Sequence, residues 1–277
     1  MAKRKRQAAA RLKEYKAKRD FSRSPEPTGG HDKAAGGPTR FFCVQKHLAS
    51  HLHYDFRLEH DGVLLSWAVP KGPSLNPKDR RLAMKVEDHP YDYGEFEGVI
   101  PEGYGAGIVM LWDRGTWRPE VDDVDAALRK GDLKFTLDGV KLKGSWVLVR
   151  TRRTGEDESR SWLLIKHRDE WAGEIDVTAA APLSVKSFGD FDDILAADNP
   201  SIWESHRPVE GGATGKLLTE IIRKAAEKKA AHAAKPAPGK RTPKRAASSA
   251  AKSPRRRKPA ARAAARPATR RPVAKRK

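Results

Sequence analysis

The sequence predicts a mostly β fold, and three observations carry that reading. Short apolar or alternating runs recur between residues 41 and 167, turn dipeptides punctuate them, and a single internal segment has the spacing and caps of a helix. The expected strands are Phe41–Lys46, His53–Glu59, Val63–Val69, Leu82–Glu87, Ile108–Trp112, Leu133–Leu137, Lys141–Thr151 and Ser161–His167. The turn signals between them are Asp61-Gly62, Pro70-Lys71-Gly72-Pro73, Arg114-Gly115 and Asp138-Gly139. Strands at this spacing suit a barrel or a sandwich, and period-two patterning does not separate the two.

The elements follow in order. Residues 1–18 are rich in Lys, Arg and Ala and read as a helix that frays unless bound to something acidic. Residues 24–39 are Pro/Gly-rich, an irregular lead-in. Within the strand block, Asp122–Lys130 is the expected helix, with Asp122 as N-cap and Gly131 just past its end. Residues 102–107 are glycine-rich but lack the Lys-Ser/Thr ending of a phosphate-binding loop and open into a strand, so they read as a hairpin turn. Farther on, Leu217, Leu218, Ile221, Ile222 and Ala225 give one apolar face to a helix over Gly215–Ala231, either docked on the core or standing as a stalk. The domain plan is a basic, largely flexible lead-in over 1–39, a β domain over 40–205, a linker and amphipathic helix over 206–234, and a tail over 235–277.

The formal charge of +20 is unevenly placed. Residues 235–277 hold 17 Lys/Arg and no acid, residues 1–20 hold 9 basic and 2 acidic residues, and residues 21–234 hold 30 basic against 34 acidic. The folded part is near neutral and the polycation is an appendage. The tail has no aromatic residue and almost no aliphatic one larger than Ala, so it cannot bury enough surface to offset the entropy of ordering. Its charge, spaced by Ala and Pro, suits sequence-independent, salt-sensitive binding to nucleic acid; the competing reading is plain solvated charge. No apolar run approaches the ~18–20 residues of a membrane span, and the basic N-terminus lacks an apolar signal core. The single cysteine, Cys43, excludes an intrachain disulfide framework, fits a reducing compartment and reads as a packing residue.

Chemistry concentrates in residues 47–57, His-Leu-Ala-Ser-His-Leu-His-Tyr-Asp-Phe-Arg. If this stretch is extended, His53, Asp55 and Arg57 leave one face of a strand while Tyr54, Phe56 and Leu58 enter a core. A turn at 48–52 would bring His47 beside His53 and make a set of two imidazoles and a carboxylate that suits a divalent metal, with a guanidinium beside it for an anion. The competing reading is a hydrogen-bonded structural cluster. His51 and His60 fall in turns and are expected to face solvent. His89, at a strand end before Pro90, can reach a neighbouring site, and Tyr93 can add a hydroxyl. Lys71, Arg80 and Arg81 are candidate phosphate contacts or ordinary solvated charges. The Lys-x-Asp-Gly signature of nucleic-acid ligases is absent. His53, Asp55 and a distal His89 also formally mimic the ligand set of iron-dependent oxygenases, a reading that leaves His47 and the tail unexplained.

Over Phe41-Phe-Cys-Val-Gln-Lys-His-Leu-Ala-Ser-His-Leu-His-Tyr-Asp-Phe-Arg-Leu-Glu59 the chain closely resembles the 3′-phosphoesterase module of bacterial DNA ligase D. The likeness continues through Leu65-Ser-Trp-Ala-Val-Pro-Lys-Gly-Pro-Ser74, Val86-Glu-Asp-His-Pro-Tyr91, Phe96-Glu-Gly-Val-Ile-Pro101, Tyr104-Gly-Ala-Gly107 and Trp112-Asp-Arg-Gly-Thr-Trp117. It closes with Leu142-Lys-Gly-Ser-Trp-Val-Leu-Val149 and Trp162-Leu-Leu-Ile-Lys166, while Arg19-Asp20 and Ser24-Pro-Glu26 look like that family's N-terminal element. The resemblance implies a small β-barrel with short flanking helices and disordered basic termini. It implies a manganese enzyme that removes 3′-terminal ribonucleosides and then 3′-phosphates from DNA, leaving 3′ hydroxyls for non-homologous end joining. It implies that His47, His53 and Asp55 bind the metal, and that Arg57 and His89 hold the scissile phosphate with Tyr93 beside them. Arg19, Asp20, Glu26 and Gln45 would support the site. Without polymerase or ligase segments, the chain is expected to act as a free-standing module in the bacterial cytoplasm, near the nucleoid. A separate ligase and a Ku-type end-binding protein would be its partners.

Overall fold

A computed structural model describes residues 2–23, 25–29, 40–101, 104–151, 160–197 and 213–233. Two helices, α1 (Ala2–Arg11) and α2 (Lys13–Ala17), precede β1 (Arg40–Leu48), β2 (Leu52–His60), β3 (Val63–Val69) and β4 (Arg81–Lys85). Then come β5 (His89–Pro90), a 3₁₀ turn at Tyr91–Glu95, β6 (Gly98–Ile100) and β7 (Gly107–Pro119). α3 (Val124–Lys130), β8 (Asp132–Gly139), β9 (Lys143–Arg150) and β10 (Ser161–Lys166) complete the sheet. Among the described residues three helices follow: α4 (Val177–Ala180), α5 (Phe191–Ala197) and α6 (Ala213–Ala233).

The strands run antiparallel in the order β1-β2-β3-β4-β10-β9-β8-β7, and β7 pairs back onto β1, closing a barrel. Closure removes the exposed edges that an open sheet would present. The alternation expected along β2 sends Tyr54, Phe56 and Leu58 into the main apolar cluster, together with Phe42 and Val44 of β1 and Leu65, Trp67 and Val69 of β3. Packed side chains therefore fill the bore, leaving the outer wall for function.

β3 follows β2 through the expected Asp61-Gly62 turn, with φ of 51° and 84°, the left-handed pair that matches hairpin twist. The Arg114-Gly115 turn is a correction: both residues lie inside the long strand β7. Gly115 is there for clearance, because a Cβ would sit 2.1 Å from the Asp138 carbonyl oxygen. α3 is where the spacing puts it, but its N-cap is Asp123, whose carboxylate accepts the Ala126 amide at 2.9 Å, and Gly131 ends it with φ 84°.

The segment of α1 and α2 packs on this chain's own surface. Leu12 and Tyr15 are buried in a second, smaller cluster with Val63, Leu64 and Tyr93. His60, expected in solvent, is buried at the end of β2. Arg40 can only donate to its Nδ1 (3.0 Å), so its Nε2–H donates to Asp125 (3.1 Å), which also pairs with Arg11 at 2.8 Å. This latch ties α1 to α3, and both imidazole nitrogens are spent on it. The amphipathic helix α6 is docked: Leu218, Ile221 and Ala225 are buried in the cluster that holds Phe191, Ile194 and Leu195 of α5. Lys228 adds ion pairs to Asp192 and Asp193. The linker over 206–212 and the tail over 235–277 lie outside the described residues. Gly115→Ala should destabilise the barrel by about 3 kcal/mol, since backbone must move to admit the methyl group; urea denaturation measures it, and an unchanged midpoint would refute the clearance argument.

Candidate active site

The site grows from the β1–β2 hairpin. Register pairs His47 with His53, Gln45 with Asp55 and Cys43 with Arg57, and β3 sets Ser66 opposite Arg57. The odd-numbered side chains of β2 leave the outer wall of the barrel, opposite in sense to Tyr54, Phe56 and Leu58. His47 Nδ1 lies 3.6 Å from Asp55 Oδ2 and His53 Nε2 lies 3.7 Å from Asp55 Oδ1. One ligand atom from each of the three residues lies within 4.8 Å of the others. His53 Nδ1 is 2.9 Å from the His51 carbonyl oxygen, which can only accept, so Nδ1 carries the proton and the Nε2 lone pair faces Asp55. His47 Nε2 is buried with no hydrogen-bond partner, and Gly107 leaves it room: a Cβ there would stand 2.7 Å from that nitrogen. The other nitrogen of that ring, Nδ1, is the one that stands beside Asp55. Two imidazoles and a carboxylate fit a divalent transition ion.

Arg57 is buried beside this set and held on three sides. Its Nε donates to Gln45 Oε1 (2.7 Å), one Nη to Ser66 Oγ (2.7 Å) and the other to Asp55 Oδ2 (3.0 Å). Gln45 is fixed in turn by donating to the carbonyls of Tyr93 (2.9 Å) and Phe96 (2.8 Å). Burial opposes ionisation of Asp55, but Arg57 and the two histidines hold its carboxyl well below the usual range. Burial likewise keeps His47 neutral, its pKa lowered despite the neighbouring Asp55.

His89 arrives on β5, which pairs with Leu64 of β3, two residues from Ser66. Its Nε2 stands 3.2 Å from Arg19 Nη2, an obligate donor, so Nε2 accepts and Nδ1–H donates to the Glu87 carbonyl at 2.9 Å. Burial, with Arg57 and Arg19 nearby, pushes its pKa well below the ordinary imidazole value. Arg19 itself is held by Glu26 (2.7 Å) and Glu87 (3.1 Å) and lies over the Tyr15 ring, 3.9 Å from its centroid. Lys18 also reaches Glu87, at 3.1 Å. Burial keeps the Tyr93 phenol protonated, its pKa well above 10. Arg19, His47, His53, Asp55, Arg57 and His89 line a cleft of about 240 Å³, to which Tyr104 also belongs.

The structure thus gathers His47, His53, Asp55, Arg57, His89, Tyr93, Arg19, Glu26 and Gln45. Asp20 is not among them: it is exposed and accepts from the Ser22 hydroxyl and amide at 2.6 and 3.0 Å. Lys71 and Arg80 are exposed on the β3–β4 connection, and Arg81 pairs with Asp79 at 3.0 Å; none lines the cleft. His89 stands outside the converging ligand atoms, which removes the basis of the oxygenase reading. Sequence reasoning missed Glu87, Ser66 and Tyr15. A lone serine in an apolar strand and a lone tyrosine in a Lys/Ala helix were the available signals. Burial drives the Cys43 thiol up to about 12, in keeping with a packing role. His60, Asp61 and Asp125 form a second cluster of possible ligands, but the latch already occupies both nitrogens of His60.

Comparison with known proteins now bears on this geometry. Residues 45–150 match the DNA ligase D 3′-phosphoesterase domain. The chain is 54% identical over 166 residues to the multifunctional non-homologous end joining protein LigD of Pseudomonas aeruginosa, covering 60% of this chain and 19% of that protein. It is 45% identical over 144 residues to the LigD of Mycobacterium tuberculosis (52% and 19%) and 38% over 175 residues to that of Mycolicibacterium smegmatis (58% and 21%). The chain spans about a fifth of the length of these curated relatives. The span 45–150 contains His47, His53, Asp55, Arg57, His89 and Tyr93, while Arg19, Glu26 and β10 fall outside it.

In the metal-free protein, His47 and His89 titrate below the ordinary value of 6.5, whereas the unfolded chain takes up their protons near it. The unfolded chain therefore binds more protons once the pH falls below about 6.5, and stability is lost from there downward until the folded rings protonate. With chelator present, the urea midpoint should hold from about pH 8 to 7 and fall by pH 5.5, and His89→Asn should shrink that fall. A midpoint flat across this range would show that the buried rings protonate without cost.

Proposed function

We propose that this protein is a divalent-metal-dependent phosphoesterase that heals DNA 3′ ends, with manganese as the ion. The observation that carries the reading is the cleft in which His47, with its Nδ1 beside Asp55, joins His53 and Asp55 in one converging set of ligand atoms beside two guanidiniums. Similarity to the ligase D phosphoesterase domain supports the reaction class. His47, His53 and Asp55 would hold the ion, which when bound polarises a phosphate oxygen and lowers the pKa of water.

The protein groups supply the rest. Arg57 has five N–H donors and spends three on Gln45, Ser66 and Asp55, leaving two for non-bridging phosphate oxygens. Because those three bonds fix the guanidinium beforehand, little reorganisation is needed as charge builds on the phosphate. Arg19 brings a second positive charge, positioned by Glu26 and Glu87. His89 rests neutral with Nε2 unprotonated, so it starts as a proton acceptor and becomes a donor once an entering phosphate offsets the two arginines. In ribonucleoside removal, a water oxygen bonds to phosphorus, the bond to the leaving 5′ oxygen breaks, and that oxygen takes up a proton. In the second step water again attacks phosphorus, the bond to the 3′ oxygen breaks, and inorganic phosphate departs from a 3′ hydroxyl. Such ends suit non-homologous end joining, with a separate ligase and a Ku-type protein as partners, in the bacterial cytoplasm near the nucleoid. No helix among the described residues is long and apolar enough to cross a membrane.

A primer-template ending in one ribonucleotide, and another ending in a 3′-phosphate, should both be trimmed in the presence of manganese. Alanine at His47, His53 or Asp55 should lower that activity by at least about a hundredfold and weaken metal binding in calorimetry while the β spectrum survives. No trimming of either substrate by the intact chain would sink the assignment.

The tail supports a second, complementary role as a sequence-independent DNA tether, on the strength of its 17 basic residues without an acid. A chain cut near Lys235 should keep its 3′-end activity at high enzyme concentration yet bind long duplex DNA more weakly at low salt. Equal duplex affinity would defeat the tethering role.

A further inference from the structure

We propose that Tyr104 is the positioning residue that stacks on the terminal nucleoside, so that it governs ribonucleoside removal and leaves phosphate removal largely untouched. The inference rests on the phosphoesterase reading above and deepens it. Tyr104 lines the same cleft as His53, Arg57 and His89, yet the residue is 49% exposed. The other tyrosine that lines the cleft, Tyr93, is already spent: it is buried and packs on His89 and on the buried Tyr15, which itself packs on His89, with centroid separations of 4.8 to 6.1 Å. A nucleoside entering the cleft thus meets one accessible aromatic face among the described residues that line it.

That face is held in place. Lys18 Nζ lies 4.8 Å and Arg19 Cζ 5.6 Å from the Tyr104 ring centroid, and both cations are anchored through Glu87, with Glu14 and Glu26 as further partners. The ring is therefore positioned by the same groups that position His89. Beside it, Gly105 has φ 81°, and a Cβ there would meet nothing within 4 Å, so the rim is open next to the ring. Open space beside a fixed, half-exposed ring is what a stacked base requires, and stacking tolerates every base because each has a π face. The remaining polar cleft groups are guanidinium, imidazole, carboxylate and phenol, suited to the phosphate, and its apolar lining is limited to Ala49, Ala68, Val86 and Gly105, which offer no ring to stack on. A 3′-phosphate end has no nucleoside beyond the scissile bond; a ribonucleotide end has one, and it is the leaving group.

The test compares wild type, Tyr104→Ala, Tyr104→Phe and Tyr104→Trp on the two primer-templates with manganese. Tyr104→Ala should raise KM for the ribonucleotide-ended substrate about tenfold, with kcat within about twofold. Removal of a 3′-phosphate should move less than about twofold, and Phe and Trp should restore the ribonucleotide KM. Equal losses on both substrates would overturn the inference, because the ring would then be supporting Arg19 and Lys18 rather than the nucleoside. No change on either substrate, with wild type active, would also overturn it. A wild type inert on both would bring down the phosphoesterase reading itself, a result distinct from either.

Discussion

The buried guanidinium of Arg57 is the constraint on which the site depends. It lies on β2, donates to Gln45 of β1, Ser66 of β3 and Asp55 of its own strand, and so stitches three neighbouring strands together on the outer wall. Burying a charge this deeply is costly, and a buried ion pair is weak evidence for stability. What it confers is geometry. Asp55 stays ionised because Arg57 is beside it, the two histidines gather around Asp55, and Gln45 carries the positioning outward to the backbone of Tyr93 and Phe96.

Charge balance explains why the N-terminal segment is part of the site. Arg57 alone would sit beside His89 with its charge only partly met. Arg19 adds a second cation, and its charge is met by Glu26 and Glu87, two buried carboxylates far apart in sequence. The net effect is a cleft with fixed donors and a neutral histidine. Tyr15, fully buried, is the apolar pin: its ring carries Arg19 and packs on His89, while its hydroxyl donates to the Pro27 carbonyl at 2.7 Å. The Arg11–Asp125–His60 latch holds the same segment from its other end.

Placing chemistry on the outer wall also fits the packing. The bore is filled by Trp67, Trp112, Trp117, Trp146 and their apolar neighbours, and no polar constellation could be inserted there without leaving groups unpaired. The wall accommodates polar groups because each is paired with another or faces the cleft.

Much of this was legible in the residues themselves. Period-two alternation determined that His53, Asp55 and Arg57 share one face, and a short turn determined that His47 meets His53, because both are local consequences of strand geometry. The eight strands that form the barrel and the α3 helix were readable for the same reason, whereas β5 and β6, two and three residues long, are too short to show a period. Barrel closure, by contrast, depends on β7 pairing with β1, from Leu48 opposite Ile108 to Arg40 opposite Trp117, and no local pattern encodes so distant a partner. Arg114-Gly115 misled because a glycine needed for close approach looks the same in sequence as one needed for a turn. His60 and Glu87 are polar residues next to turns, and only the elements that pack over them decide that they are buried. Asp20 and Arg19 are adjacent in the chain, yet one faces solvent and the other the cleft, because side-chain direction at the end of α2 is set by what Tyr15 docks against. Sequence determined which groups could act; tertiary packing decided which of them meet, since only long-range contacts can desolvate a charge and supply its partner.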